Sequence, residues 1–319
     1  MNNKDHSLNI VCVGEAMVEL SLATGTDISL GFAGDTLNTA IYLRRLLDDS
    51  AQVSYCTRLG ADPLSGKLLE FIKNESIDTQ AITQSDQLNV GLYAISTDDT
   101  GERTFTYWRD NSAARRMFQS GGNLNFEQLD NFNVVYLSAI TLAILPQQVR
   151  LALLEYLQEQ RQTRKITVAF DSNYRPALWE SETTAQEIIT MAWKITDIAL
   201  PSIDDEMDLF ADPNESAVLS RLSECGINKG ALKRGASGPL GLAAITEVLD
   251  KSSTQEFNID SDGGNISVVD TTAAGDSFNA GYLSAILNNK NEAEALKCGH
   301  ECAARVISHP GAIVPKAQW

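Results

Sequence analysis

The stretch Val268-Val269-Asp270-Thr271-Thr272-Ala273-Ala274-Gly275-Asp276-Ser277-Phe278-Asn279-Ala280-Gly281 decides the reading of this chain. Its β-branched entry, from Ile266 to Val269, predicts a strand. Small residues follow from Thr271 to Gly275, and then Phe278, Tyr282, Ala285 and Ile286 recur at the spacing of one helix face. A strand, a tight small-residue turn and a helix start leave backbone N–H groups without partners, at the positive end of the helix dipole. Phosphate is a natural occupant of such a place. Asp276, in the first turn, has two readings. It is a helix cap, or it is a carboxylate held beside a phosphate in order to take the proton of an attacking hydroxyl. A cap has no need of the run Ala273-Ala274-Gly275, and that run keeps the second reading open.

Working outward, the 319 residues allow one large domain or two modest ones. Lys and Arg number 25 against 42 Asp and Glu, a formal net charge of −17. Such acidity argues against general nucleic-acid binding and against anionic membrane surfaces, and leaves room for a local basic pocket for a small anion. The polar start Met1 to Ser7 gives no signal peptide, and no apolar run reaches the roughly 18 residues of a membrane span. Five scattered cysteines without metal spacing read as reduced thiols of a cytoplasmic protein.

The rest of the chain alternates. Strands are expected at Leu8 to Val13, Val53 to Thr57, Val134 to Leu137, Ile166 to Phe170, Ile198 to Leu200, Gly230 to Lys233 and Leu240 to Ala244. Helices are expected from about Thr36, from Asp62-Pro63 to Asn74, from Pro146 to Arg161, from Thr184 to Trp193, from Asp204 to Phe210, and after Asp276 and Asn291. Strands separated by helices imply a parallel sheet covered on both faces. Two pieces stand outside this rhythm: strands at Glu15 to Leu22 and Ile28 to Phe32, and a hairpin of Val90 to Ser96 and Thr104 to Trp108 across Asp98-Asp99-Thr100-Gly101. The expectation is one domain, 1–319, in which segments 15–33 and 88–112 pair as a small β-sheet lid.

With these pieces placed, the chain resembles the ribokinase/PfkB sugar kinases over essentially its full length. Asp270-Thr271-Thr272-Ala273-Ala274-Gly275-Asp276 is similar to that family's C-terminal signature, Gly34-Asp35 with Asn38 to its sugar-binding turn, and Lys233-Arg234-Gly235 with Gly238 to its nucleotide loop. Gly31 to Thr39, Gly101 to Arg109, Asp171-Ser172-Asn173-Tyr174-Arg175-Pro176 and Pro310-Gly311-Ala312-Ile313 resemble the 2-keto-3-deoxygluconate kinase branch. The resemblance implies a ribokinase-like α/β/α sandwich with a mostly parallel central sheet. It also implies ATP-dependent phosphorylation of a sugar acid at its terminal hydroxyl, with Mg2+ and a monovalent cation such as K+ near Asp270 and Gly311.

The roles follow from the same resemblance. Asp276 is expected as general base, and the N–H groups of Ala273, Ala274, Gly275 and Asp276 as the anion hole. Gly34, Asp35, Asn38, Tyr93 and Tyr107 are expected on the sugar. Arg109, alternating with Tyr107, and Arg175, after a strand end, present planar forks suited to a substrate carboxylate. Ser202, Lys233, Gly235, Ala236, Gly238, Thr272, Ala274 and Gly275 are expected on the nucleotide. Where the wider family has Asn-x-x-Glu to organise magnesium, this chain has Ser202-Ile203-Asp204-Asp205, which leaves Asp205 as the metal candidate. Other readings stay open: a kinase for another sugar such as fructose, ribose or a deoxygalactonate, or a catalytically silent sugar sensor. A homo-oligomer is expected because an exposed β lid invites pairing.

Overall fold

The computed structural model describes residues 8–22, 28–97, 103–164, 166–243, 245 and 267–319. Six parallel strands form the central sheet, in the order Ile198–Leu200, Thr167–Asp171, Val134–Ser138, Asn9–Val13, Gln52–Gly60, Ile82–Ser85. Alternate residues of one strand enter opposite cores, as the two-residue period of a strand requires. Val11, Val13, Val135, Leu137, Val168 and Phe170 belong to one buried cluster. Ile10, Cys12, Val134, Tyr136, Ala169, Ile198 and Leu200 belong to the other. A sheet buried on both faces between helices accounts for the nearly continuous apolar runs.

Local chemistry sets several helix starts. The Asp62 side chain accepts from the N–H groups of Leu64 and Ser65, with Pro63 at the first position of Pro63–Asn74. Asn291 and Glu294 form a reciprocal cap on Glu292–Ile307. Ser138 and Thr141 do the same for Ala139–Ile144, a short helix that the sequence pattern did not reveal. Helix Glu215–Glu224 and strand Ile82–Ser85 were also unforeseen.

A second sheet of four strands has the order Ile28–Ala33, Met17–Leu22, Gly91–Thr97, Arg103–Trp108. The two segments expected to pair do so through Met17–Leu22 and Gly91–Thr97, in parallel. The turn at 98–101 lies outside the described residues.

Two strand expectations are corrected. Residues 267–269 form no strand; Ile266 lies outside the described residues. Val268 and Val269 are exposed, and the segment is held by the N–H groups of Val269 and Asp270 donating to the Ile307 carbonyl. Among the described residues, its β-branched side chains therefore meet no neighbouring strand that would select a ladder. The second strand from Leu240 ends at Gly241, where it pairs antiparallel with Ala231–Leu232; Ala244 lies outside the described residues.

Candidate active site

Ligands of such sheets lie outside the carboxyl ends of the strands, and the residues that follow those ends converge here. A cavity of about 570 Å³ is lined from the four-stranded sheet by Met17, Tyr93, Phe105 and Tyr107. Gly34, Asp35 and Asn38 line it at the start of helix Asp35–Leu46, and Asp171, Asn173 and Arg175 line it after strand Thr167–Asp171. Its far side is made by Ser202, Asp205, Lys233 and Gly235, and by the turn from Thr271 to Asp276. The substrate-side and nucleotide-side candidates thus share one cavity, and Asp276 belongs to its wall.

Gly34 is there because nothing larger fits: a Cβ would stand 2.3 Å from the Glu15 carbonyl oxygen. It is the N-cap of Asp35–Leu46 and gives no side-chain cap. Asp35 is therefore not a cap. Its carboxylate accepts from Ser138 Oγ and from Asn173 Nδ2 (2.9 Å). Asn38 Nδ2 donates to Asp276 Oδ2 at 2.8 Å, so helix Asp35–Leu46 holds the acid of the C-terminal turn directly.

Helix Ala274–Leu287 begins at Ala273, whose backbone is left-handed (φ 61°). That conformation strains a residue with a Cβ by about 1 kcal/mol. It bends the chain so that the first turn opens on the cavity. The Asp270 carboxylate ties this turn to the C-terminal loop: Oδ1 accepts from Thr272 N and Oγ1, and Oδ2 from Gly311 N at 2.6 Å. The expected anion hole needs one correction. Ala274 N–H donates to the Thr271 carbonyl (3.2 Å) and is used inside the turn. Gly275 and Asp276 occupy first-turn positions whose N–H groups have no intrahelical acceptor.

The electrostatics are crowded. Lys233 Nζ donates to Asp171 Oδ1 at 2.7 Å and to Asn279 Oδ1 at 3.2 Å, while Asn279 Nδ2 donates to Asp171 Oδ2 at 2.7 Å. Burial first, then the negative charge of Asp35, pushes the Asp276 carboxyl from 3.8 up to about 8; Asp171 adds to this, and Asn38 and Lys233 oppose it. Asp35 is raised too, by burial first, with Asp171 contributing. Asp205 is raised mainly by burial, against the pull of Arg175, whose Nη1 lies 3.3 Å from Asp205 Oδ1. A carboxyl raised to about 8 is a stronger base once ionised, suited to take a hydroxyl proton as the pH rises toward that value.

Three expected residues stand away from the cavity wall. Ala236 and Gly238 lie on the exposed short turn Gly235–Ser237 and its end, just past Gly235. Arg109 is the larger correction. Its Nε donates to Glu15 Oε2 at 2.8 Å, its Nη2 pairs with the same oxygen, and both residues are buried (7% and 1% exposed). Glu15 Oε1 also accepts from Ser112 Oγ. Strand Arg103–Trp108 ends before Arg109, so its alternation no longer fixes where that side chain points. Sequence reasoning missed Asp171 and Asn173 as wall residues. Their place after a strand end was the available signal.

A sequence model of the pfkB family of carbohydrate kinases matches residues 7–319. The chain belongs to this family. It is 40% identical over 312 residues to the 2-dehydro-3-deoxygluconokinase of Escherichia coli strain K12, covering 97% of this chain and 98% of that one. It is 41% identical over 312 residues to the 2-dehydro-3-deoxygluconokinase of Dickeya dadantii strain 3937, covering 96% and 97%. Among solved structures, the fructokinase of Vibrio cholerae O395 with fructose, ADP and calcium ion bound superposes with a TM-score of 0.77 at 22% identity, covering 96% of this chain and 94% of that one. The ribokinase-like α/β fold expected from the sequence is the one observed. PfkB kinases bind a sugar and ATP with a divalent metal. No helix among the described residues is long and apolar enough to cross a membrane.

Proposed function

We propose that this chain is a cytoplasmic ATP-dependent 2-dehydro-3-deoxygluconokinase, transferring the γ-phosphoryl group of ATP to the terminal hydroxyl of 2-keto-3-deoxy-D-gluconate. The carrying observation is the single cavity in which Asp276 joins the Gly34–Asp35–Asn38 side to the Ser202–Lys233–Gly235 side. The whole chain, 1–319, works as one kinase domain, with the four-stranded sheet as its lid.

In this reading the Asp276 carboxylate takes the proton of the terminal hydroxyl, the new P–O bond forms, the bond to ADP breaks, and ADP leaves. The Gly275 and Asp276 N–H groups face the charge that develops on the transferring phosphoryl oxygens, at the positive end of their helix. Asp35, oriented by Ser138 and Asn173, accepts sugar hydroxyls. Tyr93, Phe105 and Tyr107, with ring centroids 5.8–6.4 Å apart, form an aromatic wall that covers the sugar. Arg175 meets the substrate carboxylate.

The carboxylates Asp171, Asp205 and Asp276 on one wall, against Lys233 and Arg175, leave an excess of negative charge that a divalent cation relieves. Asp205 fits the water shell of Mg2+, which neutralises charge between the nucleotide phosphates when bound. Among the described residues no three His, Cys, Asp or Glu side chains are placed to hold one metal ion between them. A potassium requirement near Asp270 and Gly311 is read from rates in potassium against tetramethylammonium chloride. Pairing through the exposed outer residues Ile28 and Leu30 of the lid is read by sedimentation.

The deciding assay measures ADP release on 2-keto-3-deoxygluconate, 2-keto-3-deoxygalactonate, fructose and ribose. The sugar acid is expected to exceed the neutral sugars in kcat/KM by about 100-fold or more. A preference for fructose or ribose overturns the reading. One observation favours that second outcome: the arginine expected to read the carboxylate, Arg109, is tied to Glu15.

A further inference from the structure

A second cavity, of about 530 Å³, lies apart from the one containing Asp276 and shares no wall residue with it. Its walls carry two arginines, Arg58 and Arg116, and no acidic residue among the described residues that line it. Asp86 and Asp110, adjacent in sequence to wall residues, are not part of the wall. In a chain of net charge −17 this is a local inversion. Arg58 Nη1 donates only to main-chain carbonyls, of Arg116 at 3.0 Å and Gln119 at 2.8 Å. Its Nε is buried without a hydrogen-bond partner among the described residues. Neither arginine forms an ion pair among the described residues. Guanidinium groups that line a cavity without a carboxylate beside them among the described residues are suited to an anion.

Two further features add positive potential. The 17-residue helix Gln147–Thr163 starts at this wall through Pro146, Gln148 and Val149, and its first turn carries no acidic residue. Glycines 121 and 122, at positive φ, form the hairpin turn between Gln119–Ser120 and Asn123–Leu124 and expose main chain at the rim. The remaining polar wall groups, such as Gln87, Asn111 and Asn123, are neutral hydrogen-bonding side chains. Two guanidinium groups and a helix N-terminus match a doubly charged anion better than a single carboxylate, and the neutral amides match hydroxyls.

We infer that this cavity is a second ligand site, which takes the phosphate monoester of a small hydroxylated metabolite. Binding to it differs from binding at the catalytic cavity in the residues that control it. Calorimetric titration with glycerol 3-phosphate is performed on the wild-type chain and on the Arg116→Glu, Arg58→Gln and Lys233→Gln variants. Arg116 is exposed, so its replacement leaves the fold intact even if Arg58→Gln, which releases two main-chain carbonyls, does not fold. Expected is binding to the wild type, a loss of at least tenfold in affinity in Arg116→Glu, and undiminished binding in Lys233→Gln. Arg116→Glu is expected to keep kcat and KM for the kinase reaction without added phosphate ester. The inference is overturned by no binding to the wild type at about 10 mM probe, by wild-type affinity in Arg116→Glu, or by binding that disappears in Lys233→Gln.

Discussion

Replacing Asp276 by asparagine tests the chemistry and the electrostatics of the site together. The amide keeps the shape of the carboxylate, and its oxygen still accepts from Asn38 Nδ2, now 2.8 Å from Asp276 Oδ2. What disappears is the proton acceptor and one negative charge facing Asp35 and Asp171. Loss of a positioned base lowers kcat by roughly 10²-fold to 10⁴-fold, while ATP binding persists. The stability effect has a sign that can be worked out. A rise of the Asp276 carboxyl from 3.8 to about 8 sets a ceiling of about 6 kcal/mol. The side chain opens on the cavity and is only partly buried by area, so water screens much of that, and the realised effect is on the order of 1–3 kcal/mol. A carboxyl raised in the folded state stabilises below its unfolded value near 4, and that stabilisation is lost as pH rises through about 8. The wild-type chain therefore carries a penalty at pH 8.5 that it lacks at pH 4, and the variant carries none. Melting curves at pH 5 and pH 8.5, with ADP release measured in parallel, read both effects. The variant's Tm relative to wild type is expected to be higher at pH 8.5 than at pH 5, by on the order of 1–5 °C. Near-normal turnover would place the base elsewhere. A Tm difference independent of pH would refute the raised Asp276 carboxyl, and with it the burial, and then the crowding by Asp35 and Asp171, that raise it.

Other outcomes follow from single contacts. Asn38→Ala removes a donor that favours the ionised Asp276; the carboxyl rises further, and the acid limb of the kcat/KM–pH profile moves to higher pH by about 1 unit, since a hydrogen bond to a charged group contributes about 1.5–3 kcal/mol. An unmoved limb would mean that the limb reports another group. Ala273→Gly relieves the left-handed backbone at φ 61° and raises stability by about 1 kcal/mol in urea titration; destabilisation would show that the Ala273 Cβ contacts outweigh the strain. Arg109→Ala leaves Glu15 buried without its counter-charge and costs about 3–5 kcal/mol. The paired replacement of Glu15 by Gln and Arg109 by Met is expected to recover most of this. A near-neutral Arg109→Ala would mean that Glu15 gains water or another partner.

The boundary between what the sequence discloses and what it hides follows the range of each interaction. Helix starts that close within three residues were readable, because Asp62 with Leu64 and Ser65, or Asn291 with Glu294, are neighbours in the chain. The turn Thr271–Asp276 was readable for the same reason, since its small residues and its acid act within one helical turn. The strand expected before it is absent because β-branched residues favour a ladder only when a ladder lies beside them, and, among the described residues, 267–269 meet only the Ile307 carbonyl. Arg109 shows the same limit at the site. Alternation with Tyr107 is a local signal, but the buried partner that determines its direction is Glu15, 94 residues earlier. The Asp35, Asp171 and Asp276 cluster joins the start of helix Asp35–Leu46, the end of strand Thr167–Asp171 and the first turn of helix Ala274–Leu287 by Asn38, Asn173, Asn279 and Lys233, none of which sits next to the carboxylate it serves. Each alone reads as an ordinary cap or turn. The Asp276 carboxyl is raised by burial first and then by Asp35 from the start of helix Asp35–Leu46, with Asp171 adding from the end of a central strand, so the reactivity of the site is a property of the assembled fold rather than of any one motif.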